Sequence, residues 1–359
     1  MRISRARRVF RIAGGDAHMK AFFAEKERLH YPAHFLVNGV FHDNPELPAR
    51  LDKLLAGARE AGCDVEQPAD AGLEPILAVH DERYVRFLKS AHQRWSRIPG
   101  ATQAVVPNIH PVSRSNLYPD SLVGQAGWHL MDASAPIGAE TFESACWSAS
   151  CAVAAADAVL SGDRAAYALS RPPGHHARQD AAAGFCYFNN TAIAAVRLRT
   201  KHARVAILDV DLHHGNGTQD IFYERSDVLT VSIHADPVRF YPFFWGAEGE
   251  RGRGPGEGFN RNFPLPRGSS DDAFLAALDE AMACIDAFSP DALVIALGLD
   301  AFEGDPFGGL CVSTFGFNRI GATISRAGRR PTAIVQEGGY LCDALGRNLA
   351  AFLSGFMDG

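Results

Sequence analysis

The stretch Ile207-Leu-Asp-Val-Asp-Leu-His-His-Gly-Asn216 decides the fold, because an apolar strand pattern breaks there into two carboxylates and two imidazoles. Alternate side chains of an extended strand share a face, so Asp209, Asp211 and His213 project together while the apolar residues between them face the core. Three aligned side chains of the metal-ligating type favour a metal site or a catalytic cluster. The alternative is a polar strand end whose acids cap the helix that begins near Gly215.

Strand-like and helix-like runs alternate on both sides of this stretch. We predict strands at 165–170, 204–211, 228–234, 292–298 and 332–336, and helices at 49–61, 80–95, 141–160, 188–199, 218–223, 271–288 and 314–327. The strands are apolar almost throughout, which is typical of a parallel sheet buried on both faces. The alternation continues without a linker from about Ala165 to Ile334, which favours one α/β domain.

Other parts of the chain lack a sustained period. We predict a first strand at Val9–Ile12, loop with short helices at 14–48, little regular structure at 96–140, and a long loop at 237–258 that walls a pocket. A segment as long as 96–140 inside a compact domain is usually an interface or a lid.

Composition excludes several classes of function. The 359 residues are 47% hydrophobic and 21% charged, and the formal net charge of −6 provides no basic excess for binding nucleic acid. Five arginines lie among the first eleven residues, but no apolar segment follows them, so we expect neither a secretory signal nor a membrane partner. Seven scattered cysteines without a Cys-x-x-Cys pair predict free thiols in a reducing compartment, the cytoplasm.

Four polar clusters follow predicted strands at their C-terminal ends, which meet at one edge of a parallel sheet. They are the His-His pair at 175–176, the row at 209–213, Asp300, and Glu-Gly-Gly-Tyr at 337–340. Asp211, His213 and Asp300 supply two carboxylates and one imidazole, which suit a divalent ion such as zinc with a position left for water. Such an ion lowers the pKa of its water and polarises a neighbouring carbonyl.

The remaining polar residues of these clusters are suited to proton transfer. His175 and His176 follow a stiff Pro-Pro pair and a glycine, and each catalytic imidazole needs an acceptor for its second nitrogen. Asp209 and Asn216 are the candidate acceptors. Tyr340 follows two glycines and is placed to donate to a developing oxyanion. A lone histidine or turn tyrosine is more often structural, so these assignments depend on convergence at one sheet edge.

Six motifs, taken together and in order, resemble the zinc-dependent histone deacetylase family and, within it, the bacterial acetylpolyamine amidohydrolases. The motifs are Arg171-Pro-Pro-Gly-His-His-Ala177, Gly184-Phe-Cys-Tyr-Phe-Asn-Asn190, Asp209-Val-Asp-Leu-His-His-Gly-Asn-Gly-Thr-Gln219, Val231-Ser-Ile-His234, Gly298-Leu-Asp300 and Glu337-Gly-Gly-Tyr340. The resemblance implies the three-layer arginase/deacetylase fold, with an eight-stranded parallel sheet between helical layers. It also implies a single catalytic domain over residues 1–359.

The resemblance implies a role for each polar position. Asp211, His213 and Asp300 match the ligands of one zinc ion per chain. Tyr340 matches the tyrosine that polarises the amide carbonyl together with zinc.

The tandem histidines receive different roles from the same resemblance. His176 matches the general base that activates water and then protonates the leaving amine, whereas His175 contributes mainly through its charge. Asp209 supports His175, and Asn216 supports His176. His214 receives no catalytic role, and we expect it to be structural.

The resemblance also implies substrate-binding and cation-binding positions. The substrate tunnel would be lined by Gly184, Phe185, Tyr241 and Phe307. An inner structural potassium ion would use Asp209, Asp211, His213, Ser232 and Ile233, and an outer one would use carbonyls near Phe222, Arg225 and Val228.

The segment 96–140 is similar in position to the loop by which the polyamine enzymes dimerise and narrow the tunnel mouth, so we expect a homodimer or higher homo-oligomer. This chain departs from the family at that point, because Val123 and Ser134 match positions where those enzymes carry acidic groups. Nearby acids that would replace them are Asp120, Asp132 and Glu140.

We therefore predict an amidohydrolase that removes an acetyl or other short acyl group from a primary amine, with acetylpolyamines as the leading substrate class. An enzyme of the same mechanism that acts on acetyl-lysine peptides is one alternative. A two-manganese ureohydrolase of the same fold needs a carboxylate where Gly215 stands, which disfavours it. A non-catalytic binder of acylated amines would not need Tyr340 or the tandem histidines.

Overall fold

The computed structural model describes residues 19–114 and 116–359. Its strands are β1 (Lys20–Phe22), β2 (His34–Val37), β3 (Val40–Asp43), β4 (Asp64–Glu66), β5 (Ala165–Ala168), β6 (Val205–Asp209), β7 (Val228–Ala235), β8 (Asn260–Leu265), β9 (Ala292–Leu297) and β10 (Thr332–Gln336). Its α-helices are α1 (Ala49–Glu60), α2 (Glu74–Leu77), α3 (Glu82–Trp95), α4 (Leu122–His129), α5 (Thr141–Leu160), α6 (Asn190–Leu198), α7 (Asn216–Phe222), α8 (Asp271–Phe288), α9 (Thr314–Arg326) and α10 (Leu345–Asp358). Short 3₁₀ turns occur at Glu25–Leu29 and Gly254–Gly256.

Eight strands of the described residues form one sheet in the order β4-β1-β5-β10-β9-β6-β7-β8. Every neighbouring pair is parallel. The predicted eight-stranded parallel sheet is therefore confirmed. Since parallel strands need crossover connections, helices cover both faces of such a sheet.

Strand β6 illustrates how alternating side chains build the two apolar layers. Val205 and Ile207 lie in a buried cluster with residues of α3, α5 and α6. Ala206 and Leu208 point the other way, into a second cluster with residues of α1, α8, α9 and α10. Both sets are apolar because both faces of the strand are buried, which explains the nearly continuous hydrophobic runs of the sequence.

The structure corrects the prediction for 14–48. This region holds β1 and an antiparallel hairpin of β2 and β3, and its only described helical turn is the 3₁₀ turn. Asn38 and Gly39 link the hairpin strands with φ of 53° and 76°. Asn-Gly is the pair that favours such a two-residue turn, so the sequence did carry the signal. The strand predicted at Val9–Ile12 lies outside the described residues.

Five further elements of the described residues were not predicted, namely strand β4, helix α2, helix α4, strand β8 and helix α10. Helix α4 lies inside 96–140, where Ser121 caps it by accepting from the Gly124 amide. Strand β8 pairs with β7 at the sheet edge, the position at which an internal proline such as Pro264 is tolerated. Helix α10 packs against α9 and α1. None of the helices in the described ranges is long and apolar enough to cross a membrane.

The packing of α1 against α10 depends on two glycines. A Cβ added to Gly57 would lie 2.2 Å from the carbonyl oxygen of Gly346, far inside van der Waals contact. The two helix backbones therefore approach more closely than any side chain allows.

Replacing Gly57 by Ala should destabilise the protein by about 2 kcal/mol. The clash with a backbone carbonyl outweighs the gain of about 1 kcal/mol that alanine brings to a helix. The measurement is the midpoint of urea unfolding. Gly249→Ala is the control, since a Cβ there meets no atom within 4 Å and should leave the midpoint unchanged. An unchanged midpoint for both variants would contradict the close-packing interpretation.

Candidate active site

The four polar clusters follow four consecutive strands of the sheet, β5, β10, β9 and β6. Because these strands are parallel, the loops after them leave the same edge. The structure thereby brings together the His-His pair, the aspartates and Tyr340, which are separated by up to 165 residues in the sequence.

Asp211, His213 and Asp300 form a buried cluster whose potential ligand atoms all lie within 4.8 Å of one another. The Nδ1 atom of His213 lies 3.1 Å from Asp300 Oδ2 and 3.2 Å from Asp211 Oδ1. Backbone amides orient both carboxylates, as Leu212 N–H donates to Asp300 Oδ1 at 3.0 Å and Gly338 N–H donates to Asp211 Oδ2 at 2.7 Å.

The electrostatics of this cluster fit a cation. Burial raises the pKa of Asp300, and the adjacent Asp211 raises it further. Burial alone would lower the pKa of His213, but hydrogen bonds to the two aspartates raise it to about 9. Two carboxylates this close in a buried site need positive charge nearby, and two carboxylates with one imidazole suit zinc.

Glycines make room for the two carboxylates. A Cβ on Gly298 would lie 2.1 Å from Asp211 Oδ2, and a Cβ on Gly338 would lie 2.2 Å from Asp300 Oδ2. The backbone therefore packs directly against the carboxylate oxygens at both glycines, which leaves no room for a side chain there.

The tandem histidines lie beside this cluster, with their ring centroids 4.0 Å apart. His175 Nδ1 is 2.9 Å from Asp209 Oδ2, and His176 Nδ1 is 2.7 Å from Asn216 Oδ1. Each ring therefore has the acceptor that the family resemblance implied. The two environments differ in charge, because one acceptor is a carboxylate and the other a neutral amide.

This difference separates the proton affinities of the two rings. Burial alone would lower the pKa of His175, but the charges of Asp211 and Asp209 raise it well above the usual range. Burial lowers the pKa of His176 well below its usual range, and the neighbouring His175 and His213 lower it further. The pair thus combines a charged imidazole with a neutral one.

Glu337 is a buried residue of the site to which the sequence assigned no role. Its Oε2 atom accepts hydrogen bonds from the amides of Gly174 and His175 at 2.6 and 2.9 Å, and its Oε1 atom accepts from Thr191 at 2.7 Å. Burial raises its pKa to about 7. Glu337 thereby fixes the backbone that carries the tandem histidines.

Arg50 was also missed, because it lies on α1, far from every motif in the sequence. Its guanidinium donates to the carbonyls of Gly339 at 2.5 Å and Glu337 at 2.8 Å, on the chain that leads to Tyr340. The guanidinium carbon lies 5.0 Å from the centre of the Tyr340 ring. Glu46, fully buried, accepts from Arg50 at 2.7 Å and balances its charge.

The site opens into a cavity of about 610 Å³ whose lining includes the tandem histidines, Asp211, His213 and Tyr340. Phe185, Tyr241 and Phe307, the positions matched to the walls of the family's substrate tunnel, also line it. The Phe307 ring centre lies 4.6 Å from that of Tyr340, and the ring centres of Tyr241 and His176 are 5.0 Å apart. Aromatic side chains thus form the walls of the cavity. We call its polar end, formed by the tandem histidines, Asp211, His213 and Tyr340, the floor.

Gly184 and Phe185 both adopt left-handed backbone conformations, with φ of 52° and 66°. A Cβ on Gly184 would lie 2.4 Å from the His176 ring, so only glycine fits there. Phe185 adopts a conformation that a bulky residue rarely takes, which is a form of strain found at functional sites.

The two positions matched to the family's acidic groups lie in different places. Ser134 lines the cavity, whereas Val123 lies in α4 and packs against the core. Of the three nearby acids, Asp132 lines the cavity and accepts from Tyr241 at 2.6 Å. Asp120 and Glu140 are exposed and do not contribute to the cavity lining.

The residues named for structural cations lie at two places. Asp209 pairs with Ser232 across β6 and β7, and Ile233 follows Ser232 in β7. Asp209 is bonded to the amide of Asp211, which belongs to the cluster with His213 and Asp300. Phe222, Arg225 and Val228 lie where α7 leads into β7.

His214 lies outside the cavity lining, and its ring centre is 4.6 Å from that of His234. Burial lowers its pKa well below the usual range.

The chain belongs to the histone deacetylase family, since the histone deacetylase domain matches residues 44–356. The Burkholderia pseudomallei acetylpolyamine amidohydrolase is 48% identical, over 94% of this chain and 98% of that protein. Acetylpolyamine amidohydrolase 1 of Pseudomonas aeruginosa is 43% identical, over 94% of this chain and 99% of the relative. The protein is accordingly a hydrolase that acts on amide bonds.

Solved structures agree with this placement. The crystal structure of acetylpolyamine aminohydrolase from Burkholderia pseudomallei superposes with a TM-score of 0.91 at 48% identity, covering 94% of this chain and 98% of that one. The HDA15 HD domain gives a TM-score of 0.75 at 27% identity, covering 95% and 90%.

Replacing Arg50 by Met should lower the free energy of unfolding by about 3–5 kcal/mol, since a buried ion pair loses one partner and two carbonyls lose their donor. Equilibrium denaturation measures the loss. The control is Arg86→Met, which breaks an exposed pair with Glu82 on α3 and should cost about 0.5 kcal/mol or less. Equal losses of unfolding free energy in the two variants would contradict the interpretation that Arg50 stabilises the protein through its buried ion pair and its two bonds to carbonyls.

Proposed function

We propose that the protein is a zinc-dependent deacetylase that hydrolyses the acetyl or short acyl amide of small primary amines, with acetylpolyamines as a principal class. The observation that carries this proposal is the convergence of a two-aspartate, one-histidine cluster, paired imidazoles and a tyrosine at the floor of one aromatic-walled cavity. The names of the two relatives favour acetylpolyamines. Asp211, His213 and Asp300 would hold the zinc, which supplies a Lewis acid and an activated water when bound.

The chain's own residues would divide the proton chemistry. His176, whose Nδ1 faces Asn216, is neutral and presents Nε2 as the base that takes a proton from the attacking water. The same atom then returns the proton to the leaving amine. His175, paired with Asp209, supplies positive charge without moving a proton.

Tyr340 would stabilise the negative charge that develops on the amide oxygen. Its pKa lies well above the usual range because the ring is buried, so the phenol stays protonated and can donate. Arg50 holds the backbone on either side of Gly338 and thereby sets the approach of the ring.

We rank small acylated amines above acetyl-lysine peptides because the segment 96–140, matched to the loop that narrows the tunnel mouth, contributes Asp132 and Ser134 to the cavity lining. The aromatic walls of Phe185, Tyr241 and Phe307 suit an alkyl chain, and Tyr241 is tied to Asp132 of the 96–140 segment. We retain acetyl-lysine peptides as the second candidate, because the same machinery would hydrolyse them. The ratio of kcat/KM for acetyl-lysine peptides to kcat/KM for acetylputrescine tests this ranking.

We also propose homodimerisation through 96–140 and structural potassium at the two places described above. Ile109, Val112 and Leu117 present apolar side chains on that segment, all of them exposed. Sedimentation analysis and elemental analysis for potassium measure these properties directly. A monomer, or protein without bound potassium, would refute the respective proposal. We expect the enzyme to act in the cytoplasm.

The purified protein should bind one zinc ion per chain and hydrolyse acetylputrescine and acetylcadaverine faster than acetyl-lysine peptides. Chelation should abolish turnover, and added zinc should restore it. Elemental analysis and a kinetic panel provide the measurement. Two metal ions per chain would favour a ureohydrolase, and zinc-loaded protein inactive on every acylated amine would refute the deacetylase proposal.

Replacing Tyr340 by Phe should lower kcat by about 10²–10³-fold while leaving the zinc content intact, as expected for the loss of one oxyanion donor. Steady-state kinetics with acetylputrescine and elemental analysis together test this. Tyr31→Phe is a matched control, because Tyr31 is 58% exposed and does not line the cavity. Unchanged turnover in the Tyr340 variant would remove the assigned role, and it would also favour a different donor.

A further inference from the structure

The upper part of the cavity has an unexpected charge. Apart from the residues of the floor, the formally charged side chains that line the cavity are Arg239, Arg267 and Asp132. Two guanidiniums and one carboxylate leave an excess of one positive charge. A substrate that enters with a cationic far end would meet repulsion there, whereas an anionic far end would be attracted.

Arg239 immediately precedes Phe240, whose ring stacks on that of His213 with centroids 5.3 Å apart. Within the described part of the chain, the guanidinium of Arg239 has neither an ion pair nor a hydrogen bond, and only its backbone amide is bonded, to the Asp236 carbonyl at 3.3 Å. An arginine presents five donors in a planar fork that matches a carboxylate. Arg239 therefore has its full donor capacity available to a ligand.

Arg267 lies on the loop after β8 and is held in place by the protein. Its Nη2 donates to the Gly308 carbonyl at 2.9 Å, next to the wall residue Phe307. This bond uses one donor and leaves the charge uncompensated. Both arginines are exposed, as groups that receive a substrate from solvent must be.

Asp132 does not offset these charges as a free acid would. Its Oδ2 accepts from Tyr241 at 2.6 Å, and its Oδ1 accepts from the amide and hydroxyl of Ser134 at 2.9 and 2.6 Å. Three of its acceptor positions are thus occupied by the wall itself. The carboxylate therefore has little capacity left to receive an ammonium group.

We infer that the enzyme also hydrolyses acylamino carboxylates, molecules with the amide at one end and a carboxylate at the other, and prefers them to acylamines of equal length that end in ammonium. This inference rests on the proposed function. The water oxygen bonds to the acyl carbon, the C–N bond breaks, and the amine nitrogen takes a proton. 4-Acetamidobutyrate would give acetate and 4-aminobutyrate.

A matched pair of substrates isolates the charge. 4-Acetamidobutyrate and N-acetylputrescine have the same reacting amide and the same chain of four carbons, and differ in the charge at the far end. A longer pair, 6-acetamidohexanoate and N-acetyl-1,6-hexanediamine, covers a greater reach. For at least one pair we expect kcat/KM to be about three- to tenfold higher for the carboxylate. The advantage should shrink as salt is added.

Variants test which residues carry the preference. Arg239→Gln and Arg267→Gln should each lower the carboxylate-to-ammonium ratio of kcat/KM, and the double variant should bring it to one or below. The control is Arg59→Gln on α1, an exposed arginine outside the cavity, which should leave the ratio unchanged. Calorimetry of both substrate pairs on zinc-loaded Tyr340→Phe protein measures binding separately from turnover.

The outcomes distinguish the two proposals. Equal or greater preference for the ammonium member in both pairs would overturn the inference, and hydrolysis of acetylputrescine would leave the proposed function intact. A carboxylate preference that both arginine variants retain would also overturn it. Absence of all hydrolysis would refute the proposed function, and calorimetry would then still decide whether the arginines bind the carboxylate.

Discussion

The two buried carboxylates of Asp211 and Asp300 place the strongest constraint on the structure. Each lies against a backbone amide and against the same imidazole, that of His213. Like charges at this separation are tolerated in a buried site only where positive charge and hydrogen-bond donors compensate them. Backbone amides donate to both carboxylates, and glycines let the backbone approach their oxygens closely. The raised pKa of His213 favours the positively charged form of its ring.

The sequence was sufficient for this floor because its residues follow apolar strands of a parallel sheet. The sequence predicted a strand as far as Asp211, whereas β6 ends at Asp209 and both Asp211 and His213 lie on the bend that follows. The common edge of the sheet predicted that these residues meet Asp300 and Tyr340. The edge strand β8 was not predicted, because polar residues and a proline interrupt its alternation. The hairpin of β2 and β3 escaped although Asn38-Gly39 marks its turn.

Contacts between distant parts of the chain were beyond the reach of the sequence pattern. Glu337 and Arg50 hold the active-site loops through bonds to backbone groups, and such bonds do not depend on which residue supplies the backbone group. The cavity rim was missed for a different reason. An isolated arginine such as Arg239 resembles any solvated surface charge until the fold places it beside Phe240 and over a binding cavity.

The hydrogen bonds from Arg50 to the backbone beside Tyr340 also set a limit on how short a fragment with a complete active site can be. Glu46, which accepts a hydrogen bond from Arg50, lies near residue 44, where the match to the histone deacetylase domain begins. It pairs with Arg171 as well, directly before the loop of the tandem histidines. A fragment beginning after α1 would keep the tandem histidines, the cluster of Asp211, His213 and Asp300, and Tyr340, but it would lose the guanidinium that holds the backbone beside Tyr340. The first helix is therefore part of the catalytic unit, although it contributes no atom to the cavity.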